Sequence, residues 1–178
     1  MTFDVRWRPF ELNSDLPKGK GHNKMEYYNS KFGPDMVRTM IPKMRTVARE
    51  YDIELEYDGY VGNTFDSHRL IWKAREVGGS ELQDKVVSRL FRAYFEENKS
   101  LGELSVLEEC AKDAGLDEQI LHDFMSNANL GTSEVRQEMQ EYGRAFQCTG
   151  VPMFIVDGTV KLSGAQEPDT LVRVFESL

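Results

Sequence analysis

The chain holds only two cysteines, Cys110 and Cys148, and no Cys-x-x-Cys pair. Two distant thiols exclude the disulfide framework that small secreted domains need, and they suit a reducing compartment. Histidine is almost as scarce, with three in 178 residues. None falls at HExxH spacing or beside a cysteine pair, so no metal site is expected. No apolar run approaches the roughly 20 residues that cross a bilayer, and the opening MTFDVRWRPF lacks the basic-then-apolar layout of a secretory leader. The expectation is a cytoplasmic protein with no membrane partner. Concentrated Lys/Arg runs are missing too: 30 acidic against 22 basic side chains leave a net charge of −8, which argues against nucleic acid as a partner.

What is present points to one domain, or one domain with a large insertion, since 40% apolar content is enough for a core. The segment FDVRWRPFELN alternates Phe3, Val5 and Trp7 against Asp4, Arg6 and Arg8, the period of a strand, and should end near Pro9. SDLPKGKGHNK reads as a solvated loop in which His22 is a bystander. From Asp35 to Gln147 the pattern is helical. Met36, Met40, Met44, Val47 and Tyr51 form a stripe assigned to core packing, with Pro42 kinking or dividing the helix. Thr64 reads as the cap of a helix closed by Gly78 and Gly79. Ser80 with Gln83, and Ser105 with Glu108, read as capping boxes. Leu82, Val86, Leu90, Phe91 and Tyr94 share one face, Gly115 closes a helix, and further helices run through Ile120 to Met125 and onward from Ser133. Strand MFIVD, a turn at Gly158, strand VKLSG and a helix from about Pro168, with Leu171, Val172 and Phe175 inward, complete the chain.

Cys110 lies on the stripe Leu107, Cys110, Ala111, Ala114, as a buried structural cysteine does. Cys148 falls at a helix C-terminus, where the dipole disfavours a thiolate, with Arg144 one turn earlier as a partial offset. It is a candidate redox thiol, with packing as the alternative. His122 has no evident partner.

The phrases WRPFELN (7–13), NTFDSHRL (63–70), LFRAYFEENKSLG (90–102), TGVPMFIVDG (149–158) and SGAQ (163–166) follow one another as they do in the DsbA-like dithiol-disulfide oxidoreductases of the FrnE type. The chain resembles that family over essentially its whole length; kappa-class glutathione transferases and 2-hydroxychromene-2-carboxylate isomerases are relatives. The resemblance implies an α/β, thioredoxin-like fold, discontinuous over 1–34 and 148–178, with a large all-helical insertion domain over 35–147. It also implies a strand, a Cys-Pro-x-Cys motif and a helix ahead of FDVRWRPF. This sequence has none of them, which would leave a gap in the sheet that direct pairing of the two remaining strands, a second protomer or an upstream segment outside the given sequence could close, a homodimer being the favoured reading.

The resemblance further implies a cis Pro152 that leaves the Val151 backbone free to pair with substrate, so Thr149, Gly150, Val151 and Pro152 become a substrate- or thiol-binding loop. Asn63 and His68 match a motif facing the family's active-site cleft, which makes His68 a second catalytic candidate, with an interdomain hydrogen bond as the alternative. Gly164, Ala165 and Gln166 match the turn that holds a glutathione carboxylate in the kappa-class relatives, so glutathione is the candidate cofactor. The expected function is a thiol-disulfide oxidoreductase or isomerase without the usual CxxC, weakly active or dependent on one cysteine, acting on a peptide or glutathione disulfide. A noncatalytic thioredoxin-like binding module and a glutathione-dependent isomerase or transferase are the alternatives.

Overall fold

The computed structural model describes residues 2–178. In chain order they form β1 (His22–Asn23), α1 (Lys24–Phe32), α2 (Pro34–Arg49), β2 (Tyr60–Val61), α3 (Phe65–Phe95), α4 (Leu104–Asp113), α5 (Glu118–Ser126), α6 (Thr132–Phe146), β3 (Met153–Val156), β4 (Val160–Ser163) and α7 (Pro168–Glu176). The strands make two antiparallel pairs, β1 with β2 and β3 with β4. Helix α3 is the spine. The paired glycines break it at Gly79, whose φ of 66° and ψ of −159° lie outside any helix, a conformation glycine adopts without steric cost. Helix α4 packs along α3, α5 against α4, and α6 against α3.

The core sits among α3, α4 and α5: Leu70, Ala74, Val86, Leu90, Leu107, Cys110, Leu121 and Phe124 are buried in one cluster. Each large apolar side chain taken from water here contributes about 1.5–3 kcal/mol. Arg69 is also buried, and every face of its guanidinium is used. Nε donates to the Leu130 carbonyl at 2.8 Å, Nη2 to the Asn127 carbonyl at 2.7 Å and Nη1 to Asp66 at 2.9 Å. Burial alone would raise the Asp66 carboxyl, but hydrogen bonds from Arg69 and Lys18 outweigh it and hold the group below its ordinary value. Lys24 is the second buried cation, donating to the Tyr94 carbonyl at 2.8 Å while its Nζ lies 4.1 Å from the Tyr94 ring. Burial draws it down to about 8 against the opposing charges of Asp58 and Glu56.

The structure corrects several sequence expectations. The expected loop contains β1, and α1 starts at Lys24, where Asn23 caps it by accepting from the Glu26 amide. Pro42 lies inside α2 without dividing it. The methionine stripe does not enter a core: Met36, Met44, Val47 and Tyr51 are exposed, because among the other helices α2 packs on α1. Thr64 makes no side-chain cap; Asn63 Oδ1 accepts the Phe65 amide at 2.9 Å instead. Neither capping box forms. Gln83 turns to the backbone of Trp7, and α4 begins at Leu104, which places Ser105 inside it. Phe91 and Val172 face solvent.

The expected first strand does not form: residues 3–10 pair with no other strand. Side chains hold this segment in place of a neighbouring strand. The buried carboxamide of Gln83 accepts from the Trp7 amide and donates to the Trp7 carbonyl, both at 3.1 Å, the two bonds that a strand partner would supply. The Trp7 indole donates to Asp84 at 2.9 Å, and Phe3 lies 4.8 Å from the ring of Phe175 in α7. No described residue of 2–23 is buried, nor any of 136–178.

Candidate functional site

Helix α6 ends at Phe146, and Gln147 turns the chain out with a φ of 51°. Lys161 of β4 donates to the Phe146 carbonyl, so the second strand of the hairpin stops the helix where Cys148 begins. Cys148 is half-buried and unpaired, with Sγ 3.4 Å from the Gly150 carbonyl. Val151 is exposed, the Val151–Pro152 peptide is cis, and Met153 opens β3. A Gly164 N–H donates to the Pro152 carbonyl at 2.9 Å, which fixes the loop to the far end of β4.

Two of the three groups of candidate residues are therefore neighbours: the 148–152 loop and the Gly164–Gln166 turn. In that turn Gly164 N–H is committed to the Pro152 carbonyl and Gln166 Nε2 to the Ser163 and Gly164 carbonyls at 3.0 and 3.1 Å, which leaves the Ala165 and Gln166 backbone N–H groups as the donors open to a carboxylate among the described residues. Glu167 follows as the cap residue of α7. Ala165 is exposed and makes no polar side-chain contact by its nature.

Asn63 and His68 are engaged with the 10–17 segment. Asn63 donates to the Ser14 carbonyl at 3.0 Å and to Glu11 at 3.3 Å, and its own amide donates to the Pro17 carbonyl. His68 Nε2 lies 3.1 Å from the Phe10 carbonyl, which assigns the ring proton to Nε2 and leaves Nδ1 as acceptor. Burial pulls His68 down to about 4, with the Phe10 hydrogen bond opposing, so the ring is neutral at pH 7. The NTFDSHR motif thus works as a clasp: Asn63, Asp66 through Lys18, and His68 each tie the start of α3 to the 10–18 segment. His68 also lines a cavity of about 150 Å³ with Trp7, Trp72, Arg75, Gln83 and Glu138.

Sequence reasoning missed Lys161 and the anchoring of α6. Arg8 pairs with Glu138 at 3.1 Å and stacks 4.4 Å from the Tyr142 ring, which fixes the helix that leads into Cys148 against the 6–9 segment. Both contacts join residues more than a hundred positions apart, beyond the reach of any local signal. Among the described residues no group of three or more His, Cys, Asp or Glu side chains could hold a metal ion, and no helix is long and apolar enough to cross a membrane.

The family model for a DSBA-like thioredoxin domain matches residues 1–176. The crystal structure of a probable DsbA oxidoreductase from Streptomyces coelicolor is similar, with a TM-score of 0.85 and 25% sequence identity over 96% of this chain and 73% of that chain. No curated protein matches.

Proposed function

Because the chain belongs to the DSBA-like thioredoxin domain family, we propose that it carries out thiol-disulfide exchange through a single cysteine, Cys148. The observation that carries this reading is the half-exposed, unpaired Cys148 thiol at the head of the Thr149–Pro152 loop. The other cysteine, Cys110, is buried and its thiol is pushed up to about 11 by burial, which leaves it inert.

In the proposed cycle the Cys148 thiolate attacks one sulfur of a substrate disulfide. A Cys148–substrate disulfide forms, and the second substrate sulfur leaves as a thiolate. A low-molecular-weight thiol then attacks the substrate sulfur of the mixed disulfide and restores the Cys148 thiolate. The substrate ends as one free thiol and one mixed disulfide with the small thiol, and a second small thiol reduces the latter. The exposed Val151 backbone would align an extended peptide beside the sulfur, with Thr149 and Gly150 lining its approach. His68, neutral and held by Phe10, is assigned a positioning role through the clasp. Glutathione enters as a co-substrate. Two free cysteines support a reducing, cytoplasmic setting.

The test is glutathione-coupled reduction of a peptide disulfide by the protein and its Cys148→Ser and Cys110→Ser forms. Loss of turnover with Cys148→Ser alone supports the cycle. Equal inactivity of all three forms sinks it and favours the noncatalytic binding module.

A further inference from the structure

The arch from Gln147 to Val151, which holds Cys148, rests both of its feet on β4. At one foot the Lys161 ammonium group donates to the carbonyl of Phe146, the last residue of α6. At the other the N–H of Gly164, the residue after β4, donates to the Pro152 carbonyl at 2.9 Å. Within the arch the Cys148 thiol lies 3.4 Å from the Gly150 carbonyl. Lys161 is exposed and stands opposite Ile155 in the hairpin register, so the strand supports its side chain while the charged end reaches back to the helix.

The last carbonyls of a helix have no partner within it and carry about half a negative charge. Helix α6 aims that pole at Cys148, two residues beyond Phe146, where it opposes the thiolate that disulfide exchange requires. The arch supplies no cation of its own, since no charged residue occurs between Arg144 and Asp157. Arg144 lies in the last turn of α6 but lines an open groove beside the Glu141 carboxylate. Lys161 sits on the terminal carbonyl itself.

We propose that Lys161 is a positioning residue for Cys148: its ammonium group ends α6, offsets the negative pole of the helix and anchors the arch in which the thiolate forms. This rests on the reading of Cys148 as the reactive thiol and adds the group, distant in sequence, that makes it reactive. A cation at this place also draws an anionic reagent more strongly than a neutral one of similar size.

Alkylation of the folded protein at pH 7 by iodoacetamide and by iodoacetate, read by mass spectrometry of the Cys148 peptide, tests the proposal. Cys148 Sγ displaces iodide from the reagent carbon, so the rate follows the thiolate and needs no turnover. In Lys161→Met the iodoacetamide rate should fall about two- to five-fold, the size of a helix-end charge effect, and the iodoacetate rate by more. Lys161→Arg should restore both, with helical circular dichroism unchanged in each form. If Lys161→Met alters the circular dichroism, Lys161→Gln, which keeps an N–H donor without the charge, takes its place with the same expectation. Equal rates in the wild type and the uncharged variant would reduce Lys161 to a helix stop and overturn the proposal. A Lys161→Arg form as slow as the uncharged variant would overturn it too, because a guanidinium supplies the same charge. The glutathione-coupled assay separates this failure from that of the exchange cycle. Alkylation that responds to Lys161 in a protein without turnover discards the cycle and keeps the positioning role, whereas turnover lost only with Cys148→Ser, beside alkylation indifferent to Lys161, does the reverse.

Discussion

Cys110 and Cys148 differ by what surrounds them. Cys110 has no exposure and lies in the core cluster between α3 and α4, whereas Cys148 sits where a helix turns into a loop. Iodoacetamide should therefore modify Cys148 in the folded protein and spare Cys110 until the chain is unfolded, as read by mass spectrometry; labelling of Cys110 at the same rate would contradict the burial. His68 makes a second residue-level prediction, because its pKa of about 4 in the folded state lies below its ordinary 6.5. Between those values the unfolded chain binds a proton that the folded chain does not, so stability falls as pH drops from 6.5 toward 4, by about 3 kcal/mol over the window. Urea unfolding at pH 7 and pH 4.5 should show the wild type losing more stability than His68→Gln, whose amide can still donate to the Phe10 carbonyl. Lys24 acts at the other end of the scale. It stays protonated in the unfolded chain up to 10.5 but in the folded chain only to about 8, so its contribution rises with pH between the two.

At the level of elements, the first turn of α3 and the 127–130 link between α5 and α6 depend on one guanidinium. Removing Arg69 strands the Leu130 and Asn127 carbonyls and leaves the Asp66 carboxylate with Lys18 alone. Breaking a buried ion pair by deleting one partner costs about 3–5 kcal/mol, so Arg69→Met should shift the urea midpoint far below that of the wild type. Asp117 offers a smaller effect. It caps α5 by accepting from the Gln119 and Ile120 amides, and Asp117→Ala should cost about 1 kcal/mol. The Ser80–Gln83 capping box fails for a tertiary reason: Gln83 pairs both backbone groups of Trp7 instead of reaching back to Ser80.

On the scale of the whole molecule, burial is concentrated between Lys24 and Val135, and the ends are joined to it by polar ties and ring contacts. Amide exchange at low protein concentration should show the highest protection in α3 and α4, with β3 and α7 opening at a much smaller free energy, since segments with few buried contacts open locally. Uniform protection along the chain would contradict this division. The sequence by itself determined the helices from α2 onward and the closing hairpin, though not α1, because 3.6-residue and two-residue periodicities and the Asp157–Gly158 turn are local properties. It also determined the buried character of Cys110 and, through phrases such as TGVPMFIVDG and NTFDSHRL, the family. Only the tertiary structure decided which apolar stripes become core: the α4 stripe meets α3 and is buried, while the equally regular stripe of α2 is largely exposed and that of α7 only half-buried. Periodicity marks the face a helix offers, and whether another element arrives to cover it depends on contacts between residues distant in sequence. The same reason separates the candidates. Packing brought Gly164 to the Cys148 loop and turned Asn63 and His68 to the 10–17 segment, a choice made by long-range hydrogen bonds that no local pattern records.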